Sequence, residues 1–354
     1  MGLCVSWNRT AGRVGYPTEE LPSSAGYRSN CLNQFCNLEF TRGHNLQVHR
    51  PKGRIRVTDR QPPQGRLTSA KPEKSYGELS ATLANLRRNK TATLGLAYIA
   101  VLIVGALLAP IVSPYNPLNQ DLSHRFQPPS FPHILGLDEY GRDIFSRVLF
   151  GARISLQVGI EVVSIALLIG ILVGTISGYY GGAIDNFLMR LADVFLAFPG
   201  LVLALGITSA LGPGLQNVVL ALVAGTWPVY ARVIRSQTLS LKNMDFVKSA
   251  RAIGARRSRI IFSHVIPNSI PSVIILATLG MGGAILSEAG LSFLGLGVPP
   301  PAPSWGSMVS SGQSYLLQAP HLVLAAGLAI IIAVLSFNLV GDGLRDALDP
   351  KLRT

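Results

Sequence analysis

The chain has 354 residues, 48% of them hydrophobic and only 14% charged, with a mean hydropathy of +0.37. A soluble globular domain carries about 25% charged residues, so the composition argues against a soluble enzyme or binding module. The net charge of +13 does not make a nucleic-acid binder either: much of it lies in the first 90 residues and in short loops between apolar runs, where membrane proteins carry it on the cytoplasmic side.

Residues 1–75 are rich in Pro, Gly, Ser, Asn and Arg without sustained periodicity, and read as a disordered cytoplasmic arm. The start lacks the apolar core and cleavage pattern of a secretory signal, although Met1, Gly2 and Ser6 formally match a myristoylation pattern. All three cysteines, Cys4, Cys31 and Cys36, precede the first apolar run, so no disulfide framework staples the body. Cys31, Cys36 and His49 keep the spacing of a zinc finger through its third ligand, with His44 as a stand-in for the fourth. A structural zinc needs four ligands in workable geometry, and a chance match in a disordered leader is the plainer reading. No metal is expected.

From Leu94 onward, apolar runs long enough to cross roughly 30 Å of hydrocarbon appear. There are six, near 94–112, 155–178, 194–211, 217–234, 270–286 and 321–340. Their backbone must be satisfied internally in lipid, which requires helices. Glycine-rich runs such as "LLIGILVGTISGYYGG" suit closely approaching helices. The expectation is an all-α integral membrane protein: an arm over 1–75, then six spans within 76–354.

Loop charge sets the orientation. Arg87, Arg88 and Lys90 flank the first span, Arg232, Arg235, Lys242 and Lys248 lie at the end of the fourth and between it and the fifth, and Arg345, Lys351 and Arg353 follow the sixth. The loops 211–216 and 292–320 hold no Lys or Arg. Both termini are therefore expected in the cytoplasm of a multi-pass protein. The loop 113–153 runs against the rule, with Arg125, Arg142, Arg147 and Arg153 partly offset by Asp121, Asp138, Glu139 and Asp143.

Intramembrane acids are costly and therefore suspect. Glu161 in the second span and Glu288 near the outer end of the fifth are candidates for a polar translocation path, against internal pairing. Asp185, Arg190 and Asp193 suggest capping and local ion pairs before the third span. "VPPPAPSWG" (298–306) cannot be regular helix, and places Trp305 at interfacial depth, facing either a delivering protein or nothing but its own anchor. "LDEYGRD" (137–143) is a polar turn without metal-site geometry. No Walker A loop, G-x-S-x-G, H-E-x-x-H or kinase signature occurs, so any use of ATP needs partner subunits.

Between the fourth and fifth spans, Phe246, Ala250 and Ile253 fall at i, i+4 and i+7, one face of a short helix with Asn243 or Asp245 as cap. Gly254 supplies a turn, and a second basic helix runs from Ala255 until Pro267, which suits the first turn of the fifth span. By periodicity alone the loop rests on headgroups or docks to a partner. "VKSARAIGARRSRIIFSHVIPN" (247–268) resembles the EAA loop of binding-protein-dependent ABC importer permeases. With "LRRNKTATLGL" (86–96), "LGLDEYGRDIFSRVLFGARISLQVG" (135–159), "GYYGGAIDNFLMRLADVFLAFPGLVLAL" (178–205), "LGPGLQN" (211–217), "LSFLGLGVPPPAPSWGSM" (291–308) and "FNLVGDGLRDALDPKL" (337–352), the chain resembles the DppC/OppC-type subfamily over about 80–354.

That resemblance implies the type I importer permease fold and a multi-pass subunit of the cytoplasmic (inner) membrane. It implies import of dipeptides or oligopeptides by alternating access, with glutathione-like solutes or nickel as alternatives. It implies a homologous second permease, two ABC ATPase subunits carrying ATP and Mg, an extracytoplasmic binding protein, and no cofactor or nucleic acid on this chain. The loop 242–267 would couple to the ATPases through Phe246, Ala250, Arg251, Ala252, Ile253, Gly254, Ala255 and Pro267. Lys248 departs from the Glu common in such loops. Rival readings are an ATPase-independent secondary transporter and a membrane-tethered regulator built on the arm.

Overall fold

Asn89 starts the first helix, its side-chain oxygen accepting from the backbone N–H groups of Thr91 and Ala92. The computed structural model describes residues 89–348, which hold no β-strand beyond the isolated bridge Leu137↔Asp143. The arm over 1–75, with Cys31, Cys36, His44 and His49, lies outside the described residues.

Helix α1 is Lys90–Leu107 and α2 Ala109–Val112. Helix α3, Ile144–Tyr180, is capped by Asp143, which accepts from Ser146 N at 2.8 Å. Its 37 residues span about 55 Å. Helix α4 is Gly182–Leu196, α5 Gly200–Leu211 and α6 Leu215–Lys242. Helix α7, Asp245–Ala252, precedes α8, Arg257–Phe293, which contains a π turn over Ile261–Val265. Helix α9 is Trp305–Gly312 and α10 His321–Leu348. Five of these are long and apolar enough to cross a membrane, or six if α4 and α5 form one broken span.

The third expected span, 194–211, is thus not one straight helix. It breaks between Leu196 and Gly200, and α4 and α5 meet at 81°. Pro199 lacks an N–H and disfavours helical backbone at Phe198. The twelve residues of α5 reach only about 18 Å. The second span also begins earlier than expected, at Ile144, because Arg147 and Arg153 dilute the hydropathy of a turn that is nonetheless helical.

Close packing of α3 on α6 follows from glycine spacing. A Cβ on Gly170 would lie 2.6 Å from Tyr230 Cβ, one on Gly174 2.5 Å from Ala231 O, and one on Gly178 2.8 Å from Thr238 Cβ. Three glycines four apart form one face, so the backbones approach directly. A core of Val158, Val162, Val219, Leu222 and Trp227 extends this seam. A second core joins α1, α3, α8, α9 and α10 around Ile144, Ile285, Phe337 and Trp305. Trp305 faces this core rather than a surface: it is 1% exposed, and its Nε1 donates to Val148 O at 3.0 Å. Ser304 forms a capping box with Ser307, which turns the proline-rich segment into α9.

The acids of α4 also depart from expectation. Asp185 and Asp193 pair across the fold, with Arg235 and Arg232 of α6, rather than locally.

Candidate functional site

The loop 242–267 forms a small packed unit. Helix α7 buries Val247 and Ala250 against Tyr179 of α3, Leu241 of α6, and Ile260, Ile261 and Val265 of α8. The expected caps do not act: Met244 is the N-cap residue and makes no side-chain bond. The C-terminus is built more tightly. Gly254 N donates to Arg251 O and Ala255 N to Ala250 O, both at 3.0 Å, the two bonds of a Schellman turn. That turn needs left-handed backbone, and Gly254 has φ +81°.

The side chains divide by face. Ile253 is 85% exposed, and open space surrounds the Gly254 turn. Phe246 is 40% exposed, its ring 6.2 Å from that of His264. Arg251 and Ala252 are exposed and Ala255 half-buried. Ala250 does not share the outer face with Phe246 and Ile253: helical spacing places it between Phe246 and Val247, and packing against Tyr179, Leu241 and Ile260 turns it inward. Val247, absent from the expected face, is fully buried. Its i, i+3 spacing to Ala250 was the available signal.

The second basic helix is not separate from the fifth span but runs into it, while Pro267 takes the first-turn position expected of it. Pro267 lies in the first turn of the α-helical segment Ile266–Phe293, directly after the π turn, where Ile266 N donates to Ile261 O. Pro267 cannot donate, and the helix accommodates it by widening rather than stopping. Asn268 Nδ2 and Ser269 Oγ donate to His264 O and Val265 O at 2.6 and 2.9 Å. The second half of the loop, from Arg257, is thereby continuous with the fifth span.

The two candidate acids occupy different surroundings. Glu161 is half-buried, accepts from Gln157 Nε2 at 2.9 Å, and lines a cavity of about 390 Å³ with Ile103, Leu107 and Arg153. Glu288 is fully buried and accepts from Ser292 Oγ at 2.7 Å and Ser155 Oγ at 3.3 Å. It faces packed protein, fastening α8 to α3, rather than an open path.

The chain matches, over 170–354, the family model described as the inner membrane component of binding-protein-dependent transport systems. Residues 79–129 match the N-terminal transmembrane domain of oligopeptide transport permease C. It is 43% identical over 293 residues to the dipeptide transport system permease protein DppC of Alkalihalophilus pseudofirmus, covering 83% of this chain and 94% of that one. It is also 43% identical over 270 residues to the glutathione transport system permease protein GsiD of Pectobacterium atrosepticum, covering 76% and 89%. The chain belongs to the binding-protein-dependent permease family.

In this permease two of the four arginines of segment 113–153, Arg142 and Arg147, are paired internally. Arg142 Nε lies 2.7 Å from Asp138, Arg142 Nη2 3.3 Å from Glu139, and Arg147 Nε 3.4 Å from Asp138, all with buried side chains. Arg147 Nη1 donates to Pro117 O at 3.3 Å. Asp143, besides capping α3, lies 3.0 Å from His133 Nδ1. On the surface of this segment, the His124 ring and the Ser123 N–H hold the Asp121 carboxyl below the ordinary carboxylate range.

Proposed function

We propose that this permease imports short peptides as one of two homologous membrane subunits driven by ATPase partners, with a binding protein delivering substrate outside. The single observation that carries the coupling role is the two-faced loop. Ile253 and the Gly254 turn project from it, while Val247 and Ala250 clamp its other face to α3, α6 and α8. A pull on the projecting turn then moves three membrane helices as a unit. ATP and Mg belong to the partner subunits, and the chain holds no cofactor of its own. The dipeptide and glutathione permeases among its relatives support a short-peptide substrate, glutathione being the second reading.

Both termini and the coupling loop face the cytoplasm in this reading. The internal pairing of Arg142 and Arg147 supports it, since charges already neutralised do not count against the positive-inside rule.

The test is ATP-dependent uptake of a labelled dipeptide and of glutathione into vesicles holding the complete importer. Gly254→Asp places a Cβ in left-handed backbone, costing about 1 kcal/mol, and a carboxylate at the docking turn. The variant should pair with its sister permease yet lose ATPase co-purification and uptake. Wild-type levels of both would remove the coupling assignment. With the native cysteines replaced, Leu317→Cys should label from outside and Ser258→Cys only after permeabilisation; the opposite pattern reverses the orientation.

A further inference from the structure

Where α3 ends, Tyr179, Tyr180, Lys242, Arg251, Arg257 and Ile260 line a cavity of about 420 Å³ between α3, the end of α6 and the loop. Three of these six side chains are cationic. Lys242 Nζ is already aimed inward: it donates to Tyr179 O at 2.7 Å and lies 5.9 Å from the Tyr179 ring centre. Arg257 Cζ stands 5.8 Å from the Tyr180 ring centre. Among the described residues, no carboxylate lies within ion-pair reach of Arg251 or Arg257. By contrast Arg142, Arg147, Arg232 and Arg235 each have an acidic partner. Three like charges converging on one cavity repel one another unless an anion joins them.

The setting narrows the anion. The apolar run within α3 ends at Gly178, so Tyr179 and Tyr180 at its end stand at the edge of the hydrocarbon, where the headgroup layer begins. Paired tyrosines are the residues enriched at that depth. Basic pockets between helices at a membrane surface accept anionic headgroups, and guanidinium groups match phosphate oxygens in bidentate geometry. We infer that this cavity binds a phosphate ester, supplied by the headgroup of an anionic phospholipid. The lipid would then bridge the end of α3 to the base of the Gly254 turn, bringing membrane composition into the stiffness of that loop. The site is independent of which solute is transported.

The experiment is native mass spectrometry of the full-length permease in detergent, titrated with phosphatidylglycerol, phosphatidylcholine or inorganic phosphate. One phosphatidylglycerol should be retained at least tenfold more strongly than phosphatidylcholine. The double variant Arg251→Gln/Arg257→Gln should abolish that preference. Arg256→Gln/Arg259→Gln removes the same charge from positions of the same loop outside the cavity lining, and should retain the lipid like the parent. An equal loss in both double variants would reduce the effect to diffuse charge and overturn the site. Retention of inorganic phosphate as strong as that of the lipid would overturn the lipid assignment. A permease that shows no headgroup preference while melting at its normal temperature would overturn both.

Discussion

Asp185 accepts from both Nε and Nη2 of Arg235, each at 2.6 Å, across fifty residues of sequence. The pair fastens amphipathic α4 to α6 at the end where the seam glycines finish, and Ser177 Oγ donates to the same carboxylate.

This pair should couple energetically. Arg235→Gln and Asp185→Asn should each lower the melting temperature of the purified permease. The double variant should lose less than the sum, with a coupling of about 1 kcal/mol. Arg235→Lys should recover only part, because an ammonium cannot reproduce the fork. Strict additivity in the cycle would show that the pair contributes nothing to holding α4.

The glycine seam makes a prediction of opposite signs. Gly174→Ala places a methyl 2.5 Å from Ala231 O, backbone that cannot step aside, and should destabilise by about 1–3 kcal/mol. Gly206→Ala meets nothing within 4 Å, and should be neutral or stabilising by up to about 1 kcal/mol through helix propensity. Thermal unfolding in detergent measures both. Equal effects would mean that α3 and α6 are not in direct backbone contact.

The two faces of α7 should separate stability from coupling. Val247→Ser introduces a hydroxyl and a void at a site 0% exposed, and should cost about 1–3 kcal/mol of stability. Ile253→Ser, 85% exposed, should leave the melting temperature unchanged while weakening retention of the ATPase subunits at least tenfold. If Ile253→Ser retains them fully, the contact lies elsewhere on the loop.

Glu288 should behave as a fastening. Glu288→Gln keeps an acceptor for Ser292 and Ser155, and should stay within about 1 kcal/mol of wild type. Glu288→Ala leaves a cavity and two unsatisfied hydroxyls, costing about 2–4 kcal/mol. Neither should alter the ratio of dipeptide to glutathione uptake. A changed ratio in the stable Gln variant would return Glu288 to the solute path.

Much of this architecture was legible because membrane helices announce themselves by composition. Runs of apolar residues with internally satisfied backbone need no knowledge of their neighbours, and the glycine content of 169–182 already implied close approach. Left-handed backbone at Gly254 was legible for the same local reason. What α7 presents outward was not: Phe246, Ala250 and Ile253 look equivalent by spacing, and only contact with Tyr179, Leu241 and Ile260 turns Ala250 inward. Pro267 reads correctly as the first turn of the fifth span, but the widened turn that joins that span to the basic helix before it was not legible.

The sequence by itself determined most of the spans, the loop and the family to which they belong, since each rests on local hydropathy, turn chemistry or contiguous motifs. Only the tertiary structure decided which charges are spent. Arg142 and Arg147 vanish into Asp138, Arg235 into Asp185, and Glu288 into two serines, whereas Arg251 and Arg257 stay uncompensated. A charge's worth depends on what lies within a few ångströms of it, and those neighbours come from segments up to 133 residues apart in the chain.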